Sequence, residues 1–366
     1  MSGAADDFTF LWYIPNQVAP GHRGEPVSAG HNSLATLASQ ALALEEHGWL
    51  GALVGAGWGR PDTFTVATAL AARTTSFEPL IATRPGYWHP ANFAKSAATL
   101  DQLTEGRVRV NIVSGQDDLA AYGDAEGDQA SRYARTKEFM QLVRRLWTED
   151  GVTHDGRFYH VTESTVLPRP GTRPGRPHPP LYFGGASAAA ERVSATEADV
   201  QLFWGETLDG LATRIARLTA LSEQVERRHK PLEFGLRITT VVRETTDEAW
   251  RAAEEKVARM AGEAGRTNWV GNGNTAVGQR RLFELAERGE VLDTCLYTAP
   301  GRYGAGGAAT TWLVGSPQDV AEALEAYRKL GISHFILSDT PYLQEIARVG
   351  DQLLPLLREP SLDEPS

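Results

Sequence analysis

The sequence predicts an α/β fold in which eight strand–helix units close into a (β/α)8 barrel. Three observations carry that prediction. Short apolar runs alternate with longer amphipathic ones along most of the 366 residues. The apolar runs are continuous, as in parallel strands covered on both faces. Eight of them can be placed in the sequence, which favours a closed barrel over an open doubly wound sheet.

FTFLWYI (8–14) is the first strand. Residues 32–47 form a helix with Leu34, Leu37, Ala38, Ala41 and Leu42 on one stripe, stopped by Gly48. LGALVG (50–55) is the second strand, and 62–73 a helix that Asp62 can cap. FEPLIAT (77–83) precedes a helix from about 91 to 103, and RVRVNIV (107–113) precedes one over 131–147. PPLYFGG (179–185), DVQLFW (199–204), LEFGLRITTVVR (232–243) and SHFILS (333–338) complete the set.

Three stretches interrupt this rhythm in what is expected to be one domain over 1–366. Residues 114–130 form a polar loop, and 150–178 are rich in Gly, Pro, Arg and His, with a small hairpin expected around GRFYHV. Residues 262–311 are the longest interruption, between strands seven and eight, with a helical piece near 280–288 flanked by GNGNTAVGQ and PGRYGAGGAATT. Long insertions in compact domains are either binding loops and lids or solvated excursions.

Composition narrows the function. The net charge of −10 argues against nucleic acid or an anionic membrane as partner. No apolar run reaches the ~20 residues of a membrane helix. MSGAADDFTFLWYIP has no basic start of the secretory kind, and the single cysteine, Cys295, fits a reducing cytoplasm, where the protein is expected.

In such a barrel the active site lies at the C-terminal strand ends. Here those ends are rich in aromatic, Gly, Ser and Arg residues and poor in paired carboxylates. No His-x-His pair, H-E-x-x-H motif or cysteine cluster supplies a metal site, and no G-x-G-x-x-G follows the first strand. A flat cofactor suits this mouth better than acid–base hydrolysis. Gly184 and Gly185 end a strand, and Ser187 follows where a helix begins. This is either a phosphate cradle or a glycine turn with Ser187 as helix cap. Arg237, inside a strand, either meets an anionic ligand or pairs with Asp199 or Glu233. Arg302 either closes over a substrate or points into water, and His89 is a proton donor or a local cap.

The stretches AATLDQLTEGRVRVNIVSG (97–115), SRYARTKEF (131–139), PPLYFGGAS (179–187), LFWGE (202–206), FGLRITTVVRETTDEAW (234–250) and FILSDTPYLQEIARVGDQLLPLL (335–357) carry a family likeness. Over about residues 8–357 the chain resembles the FMN-dependent alkanesulfonate monooxygenases of the bacterial-luciferase superfamily. More loosely it resembles their dimethylsulfone relatives. The resemblance implies a TIM barrel whose insertion between strands seven and eight is a mobile lid. It also implies reduced FMN delivered by a separate NAD(P)H-dependent flavin reductase, molecular oxygen as co-substrate, and a homo-oligomer.

By that likeness Tyr133, Gly185 and Ser187 hold the FMN phosphate, Gly184 and Ala186 beside them belong to the cofactor site, and Asn111 and Ser114 lie beside the isoalloxazine. Trp12 and Asp62, at the ends of strands one and two, complete the cofactor set. Trp204, Arg237 and Arg302 surround the substrate. Three places depart from the family pattern. Arg60 or Pro61 stands where the family has cysteine, Thr239 where it has histidine, and Thr340 and Tyr342 where it has tyrosine and histidine. Thr239 and Tyr342 are therefore candidates on a rewritten substrate side, for a small organic molecule that need not be a sulfonate. Two alternatives are a deazaflavin-dependent oxidoreductase and a non-catalytic flavin-binding protein.

Overall fold

The computed structural model describes residues 8–16, 30, 32–115, 117–124, 128–171, 173–264, 277–303 and 310–358. In chain order the elements begin with β1 (Thr9–Ile14), α1 (Leu34–Glu46), β2 (Gly51–Val54), α2 (Thr63–Ala71), β3 (Glu78–Thr83), α3 (Pro90–Leu103), β4 (Arg109–Ile112) and α4 (Gln129–Thr148). They continue with the hairpin β5 (Val152–Asp155) and β6 (His160–Ser164), then β7 (Leu181–Gly184), α5 (Ala188–Glu197), β8 (Val200–Trp204), α6 (Leu208–Gln224) and β9 (Glu233–Arg237). An insertion follows, with β10 (Thr239–Val242), α7 (Thr246–Ala264), α8 (Val277–Arg288), β11 (Val291–Leu292), β12 (Leu296–Tyr297), a 3-10 turn (Ala299–Tyr303), β13 (Trp312–Gly315) and α9 (Pro317–Lys329). The chain re-enters the barrel with β14 (Ile332–Leu337) and closes with α10 (Tyr342–Gln352) and α11 (Leu354–Arg358).

Eight parallel strands close a barrel in the order β1-β14-β9-β8-β7-β4-β3-β2, the fold expected from the sequence. Alternate residues of each strand face inward or toward the helices. On β1, Leu11 and Tyr13 join Leu53, Leu80, Ala82, Tyr182, Val200, Leu202 and Ile336 inside the barrel. Phe10, Trp12 and Ile14 point the other way, into the layer between strands and helices. The hairpin expected around GRFYHV is present. Glu138 of α4 pins it, accepting from the backbone N–H of Phe158 and Tyr159 at 3.0 and 2.8 Å.

The insertion departs from the sequence reading. The run LEFGLRITTVVR is not one barrel strand. β9 ends at Arg237, and β10 pairs in parallel with β13 in a second sheet of order β10-β13-β12-β11. The apolar pattern does not mark this change because the backbone stays buried on both sides of it. Thr240 N–H still bonds the Ser338 carbonyl at 3.1 Å while β10 takes its new partner. The inserted unit therefore starts near 239 rather than 262. WLVG (312–315), to which the sequence reading gave no element, is the strand that builds its sheet. It has its own apolar core of Val241, Ala253, Val257, Tyr297, Trp312 and Val314. Lys256 of α7 ties it to the barrel by bonds of 2.6 Å to Asp339 and 2.7 Å to the Thr340 carbonyl. Much of GNGNTAVGQ and of PGRYGAGGAATT (265–276 and 304–309), where the sequence suggested mobility, lies outside the described residues.

The barrel floor is polar and paired. Arg109 reaches Glu78 at 2.7 Å and Tyr182 at 2.8 Å, Tyr182 meets His334 at 2.9 Å, and His334 meets Glu233 at 2.6 Å. Outside the floor, Asp101 is fully buried, accepts from Val108 N–H at 3.0 Å and takes both Nη groups of Arg176 at 3.0 and 2.8 Å. Removing one partner of a buried ion pair leaves the other charge unanswered. Asp101→Ala is therefore expected to lower unfolding stability by roughly 3–5 kcal/mol in urea titration. The change is remote from the mouth, so ligand affinity in the folded fraction stays as in the parent chain.

Candidate functional site

The C-terminal strand ends open into a cavity of about 770 Å³. That lies within the ~300–1,000 Å³ of sites for drug-sized ligands. Its walls are unusual in charge. Arg60, Arg84, Arg132, Arg214, Arg237, Arg280 and Arg281 line it, and among the described residues no Asp, Glu, Lys or His does. Among the described residues no group of His, Cys, Asp and Glu could hold a metal ion.

One rim is built by β7 and the start of α5. Gly184, Gly185, Ala186 and Ser187 line the cavity there, with Tyr133 from α4. Ser187 is the N-cap of α5, and its hydroxyl accepts from Ala190 N–H at 3.2 Å. The cap reading is thus realised, and the hydroxyl hydrogen is still able to donate to a ligand. The helix start adds unpaired N–H groups and the positive end of its dipole. Gly185 is small for a different reason than ligand approach, since a Cβ there would meet Ala190 Cβ at 2.4 Å. Arg214 stands behind this rim, bonded to the Gly185 carbonyl at 3.0 Å and to Glu191 at 3.3 Å, with its guanidinium 4.7 Å from the Phe203 ring.

Asn111, at the end of β4, lines the cavity with its Oδ1 buried and without a hydrogen-bond partner among the described residues. Ser114 also lines it and bonds Thr136 at 2.6 Å. Trp204, at the end of β8, packs against Gly278 of α8, and its buried Nε1 has no hydrogen-bond partner among the described residues. Arg281 of α8 pairs with the fully buried Glu206, which anchors α8 over the mouth.

The opposite rim centres on Tyr13. Arg60 donates to its hydroxyl at 3.1 Å, and the Arg237 guanidinium lies 3.9 Å from its ring centre. The ion-pair alternative for Arg237 does not apply as stated. Asp199 pairs with Arg144 at 3.1 Å, and Glu233 bonds His334.

Of the residues singled out in the sequence, Asn111, Ser114, Tyr133, Gly184, Gly185, Ala186, Ser187, Trp204 and Arg237 come together around this cavity. The rest stand apart from it. Trp12 faces outward and packs edge-on against Trp49, their ring centres 4.9 Å apart. Asp62 is spent as the N-cap of α2, accepting from Thr65 N–H at 2.8 Å. Arg302 is exposed and donates to the Ala286 carbonyl of α8 at 2.8 Å, so it supports the insertion. Thr239 is buried at the start of β10, and Tyr342 packs at the start of α10 against the outer core. His89 caps α3, and burial pushes the Cys295 thiol up to about 11, which removes it as a nucleophile. The sequence reading missed Tyr13, Arg132, Arg214, Arg280 and Arg281. For Arg132, Arg280 and Arg281 the signal was present, because they lie in the first turns of the helices that rise over the mouth.

Residues 8–334 match the family described as luciferase-like monooxygenase, and the chain belongs to that family. Solved structures agree in fold. EDTA monooxygenase from Chelativorans sp. BNC1 superposes with a TM-score of 0.77 at 16% identity, over 96% of this chain and 93% of that one. A riboflavin lyase with modified FMN and riboflavin gives 0.76 at 19%, over 96% and 91%. An F420-dependent secondary alcohol dehydrogenase gives 0.68 at 16%, over 96% and 100%.

The α5 rim fits a phosphomonoester, and the unpartnered Asn111 oxygen fits the donor-bearing edge of a flavin ring. Ser187→Ala removes one hydrogen bond to a charged group, worth roughly 1.5–3 kcal/mol. In fluorescence titration the FMN dissociation constant is then expected to rise about ten-fold or more, with riboflavin affinity unchanged. An unchanged FMN constant would leave Ser187 a helix cap alone.

Proposed function

We propose that this protein is a flavin-dependent monooxygenase that uses reduced FMN and molecular oxygen to oxidise a small organic substrate. We further propose that a separate NAD(P)H-dependent flavin reductase supplies the flavin. Family membership supports oxidoreductase chemistry. The observation that carries the cofactor is the α5 rim, where Ser187, Tyr133 and the helix start converge beside Asn111 on one cavity. When bound, reduced FMN supplies the electrons that activate oxygen.

The protein's part is positioning and exclusion of water. Ser187, the backbone of Gly185 and Ala186, and Tyr133 hold the phosphate, while Asn111 and Ser114 orient the ring edge. Leu53, Ala82, Ile112, Leu202 and Phe203 line the cavity with apolar surface, and α8 covers it through Val277 and Gly278. A dry site protects a reactive centre from water. Trp204 and Arg237 lie on the substrate side, where the planar Arg237 guanidinium suits an anionic group. An alkanesulfonate remains one such substrate. With Arg60 or Pro61 in place of the family's cysteine, and Thr239 and Tyr342 in place of its histidines, however, the substrate side is this chain's own.

The test is oxygen uptake with a supplied flavin reductase, NADH, FMN and a substrate panel. The proposal expects substrate-dependent oxygen consumption with one oxygen atom in the product. Arg237→Ala should lower kcat/KM by roughly 10–100-fold, the loss of one charge-assisted contact, and leave FMN affinity intact. Turnover only with reduced deazaflavin and without oxygen would assign the chain to the chemistry named for its F420-dependent structural neighbour. Flavin binding without turnover would make it a binding protein.

A further inference from the structure

The rim at the start of α5 turns on one peptide unit, and a side chain from the next helix holds it. Gly185 is the first residue past β7, and side chains take over its carbonyl from the strand ladder. Arg214 Nη2 of α6 donates to it at 3.0 Å, and Gln201 Nε2 of β8 reaches it at 3.4 Å. A peptide is planar, so a carbonyl fixed in this way also fixes the direction of the Ala186 N–H. Gly185 is confined from its other side as well. A Cβ there would meet Ala190 Cβ at 2.4 Å and lie 3.9 Å from the Tyr133 hydroxyl. The strand end, the first turn of α5 and Tyr133 thus converge on the Gly185–Ala186 peptide.

Arg214 is buried and is itself held by α5 and β8. Its Nε donates to Glu191 at 3.3 Å, and its guanidinium lies 4.7 Å from the Phe203 ring. Nε and Nη2 share one edge of the planar guanidinium, so a single fork spans Glu191 and the Gly185 carbonyl. Glu191 is a buried carboxylate in the first turn of α5. It suits the helix dipole there, but it opposes an anion bound at the same helix start. Two guanidiniums answer it, Arg214 and also Arg217 at 2.8 and 2.6 Å. Each brings one positive charge to Glu191. Of the two, Arg214 alone also bonds Gly185 among the described residues. Charge and position are therefore separable in this pair.

We propose that Arg214 is the positioning residue of the phosphate cradle, setting the Gly185–Ala186 peptide through the Gly185 carbonyl, and that Glu191 keeps Arg214 in place. The inference rests on the reading of this rim as the seat of the FMN phosphate, and names the residues that set its geometry. The role belongs to the fork of Arg214 rather than to its charge, because Glu191 already offsets that charge.

The experiment titrates FMN and riboflavin into the full chain by fluorescence, in the parent and in the variants Arg214→Lys and Arg217→Gln. Arg214→Lys keeps the charge and loses the fork. Arg217→Gln loses a charge and leaves the Gly185 contact. Arg214→Lys is expected to raise the FMN dissociation constant about ten-fold or more, the worth of one misplaced charge-assisted hydrogen bond, with riboflavin affinity unchanged. Arg217→Gln is expected to keep the parent's affinity for both. The phosphorus NMR signal of bound FMN should move in the first variant and stay in the second. If Arg214→Lys does not fold, Glu191→Gln takes its place. It removes a negative charge beside the phosphate, so charge alone would tighten FMN binding, whereas a loosened Arg214 weakens it. Parent-like FMN binding by Arg214→Lys would overturn the proposal. So would equal losses of FMN and riboflavin affinity, a matching loss in Arg217→Gln, or tighter FMN binding by Glu191→Gln. A parent chain that binds FMN no better than riboflavin would instead overturn the phosphate reading of the rim.

Discussion

The closed ring of backbone hydrogen bonds through eight parallel strands is the constraint on which the site depends. Because every barrel strand runs the same way, all their C-terminal ends meet at one rim, and side chains far apart in sequence face one cavity. Register matters as much as closure. A slip of one residue on β1 would turn Tyr13 out and Trp12 in. Trp12↔Leu337 and Tyr13↔Leu53 fix that register on the two sides of β1. The same rule removes Trp12 from the site while placing its neighbour at the centre of one rim.

Electrostatics is the second constraint. Seven arginines around one cavity repel one another, and the structure offsets this from outside the cavity rather than within it. Asp117, Glu191 and Glu206 hold Arg84, Arg214 and Arg281 from behind, so the positive faces stay turned inward. Phe203 and Tyr13 carry the guanidiniums of Arg214 and Arg237 on their ring faces. In a chain of net charge −10 this concentrates positive potential at the mouth and leaves the outer surface acidic. Small anions are drawn in, while polyanions such as nucleic acid meet a repelling surface. The anchoring of α8 belongs to the same scheme. Arg281 neutralises Glu206, a carboxylate with no exposure to water, and in doing so brings Gly278 onto Trp204.

The fold was largely legible in the sequence because barrel strands buried on both faces leave continuous apolar runs, which punctuating helices separate. The α5 rim of the cavity was legible too, because glycines followed by serine at a strand-to-helix junction have a local meaning. The insertion was harder. At Ile238 the strand changes partner without changing burial, so hydrophobic pattern carries no mark of it. WLVG reads as a short apolar stretch until β10 and β12 are beside it. The rim at Tyr13 was least legible. Arg60 and Tyr13 are 47 residues apart, and only barrel closure makes them neighbours. Arg302 sits in a glycine-rich segment that suggested a lid contact, but its hydrogen bond to Ala286 keeps it within the insertion. For Asp62 the capping reading prevailed, since its carboxylate is consumed by the α2 terminus.

The assignment of opposite rims to cofactor and substrate is tested most directly by a crystal structure of the chain with FMN bound under reducing conditions. The account predicts the phosphate at the start of α5, within hydrogen-bond distance of the Ser187 hydroxyl and the Ala186 or Ser187 backbone N–H, with the ring edge against Asn111. A phosphate held instead by Arg60 and Arg237 at Tyr13 would contradict it.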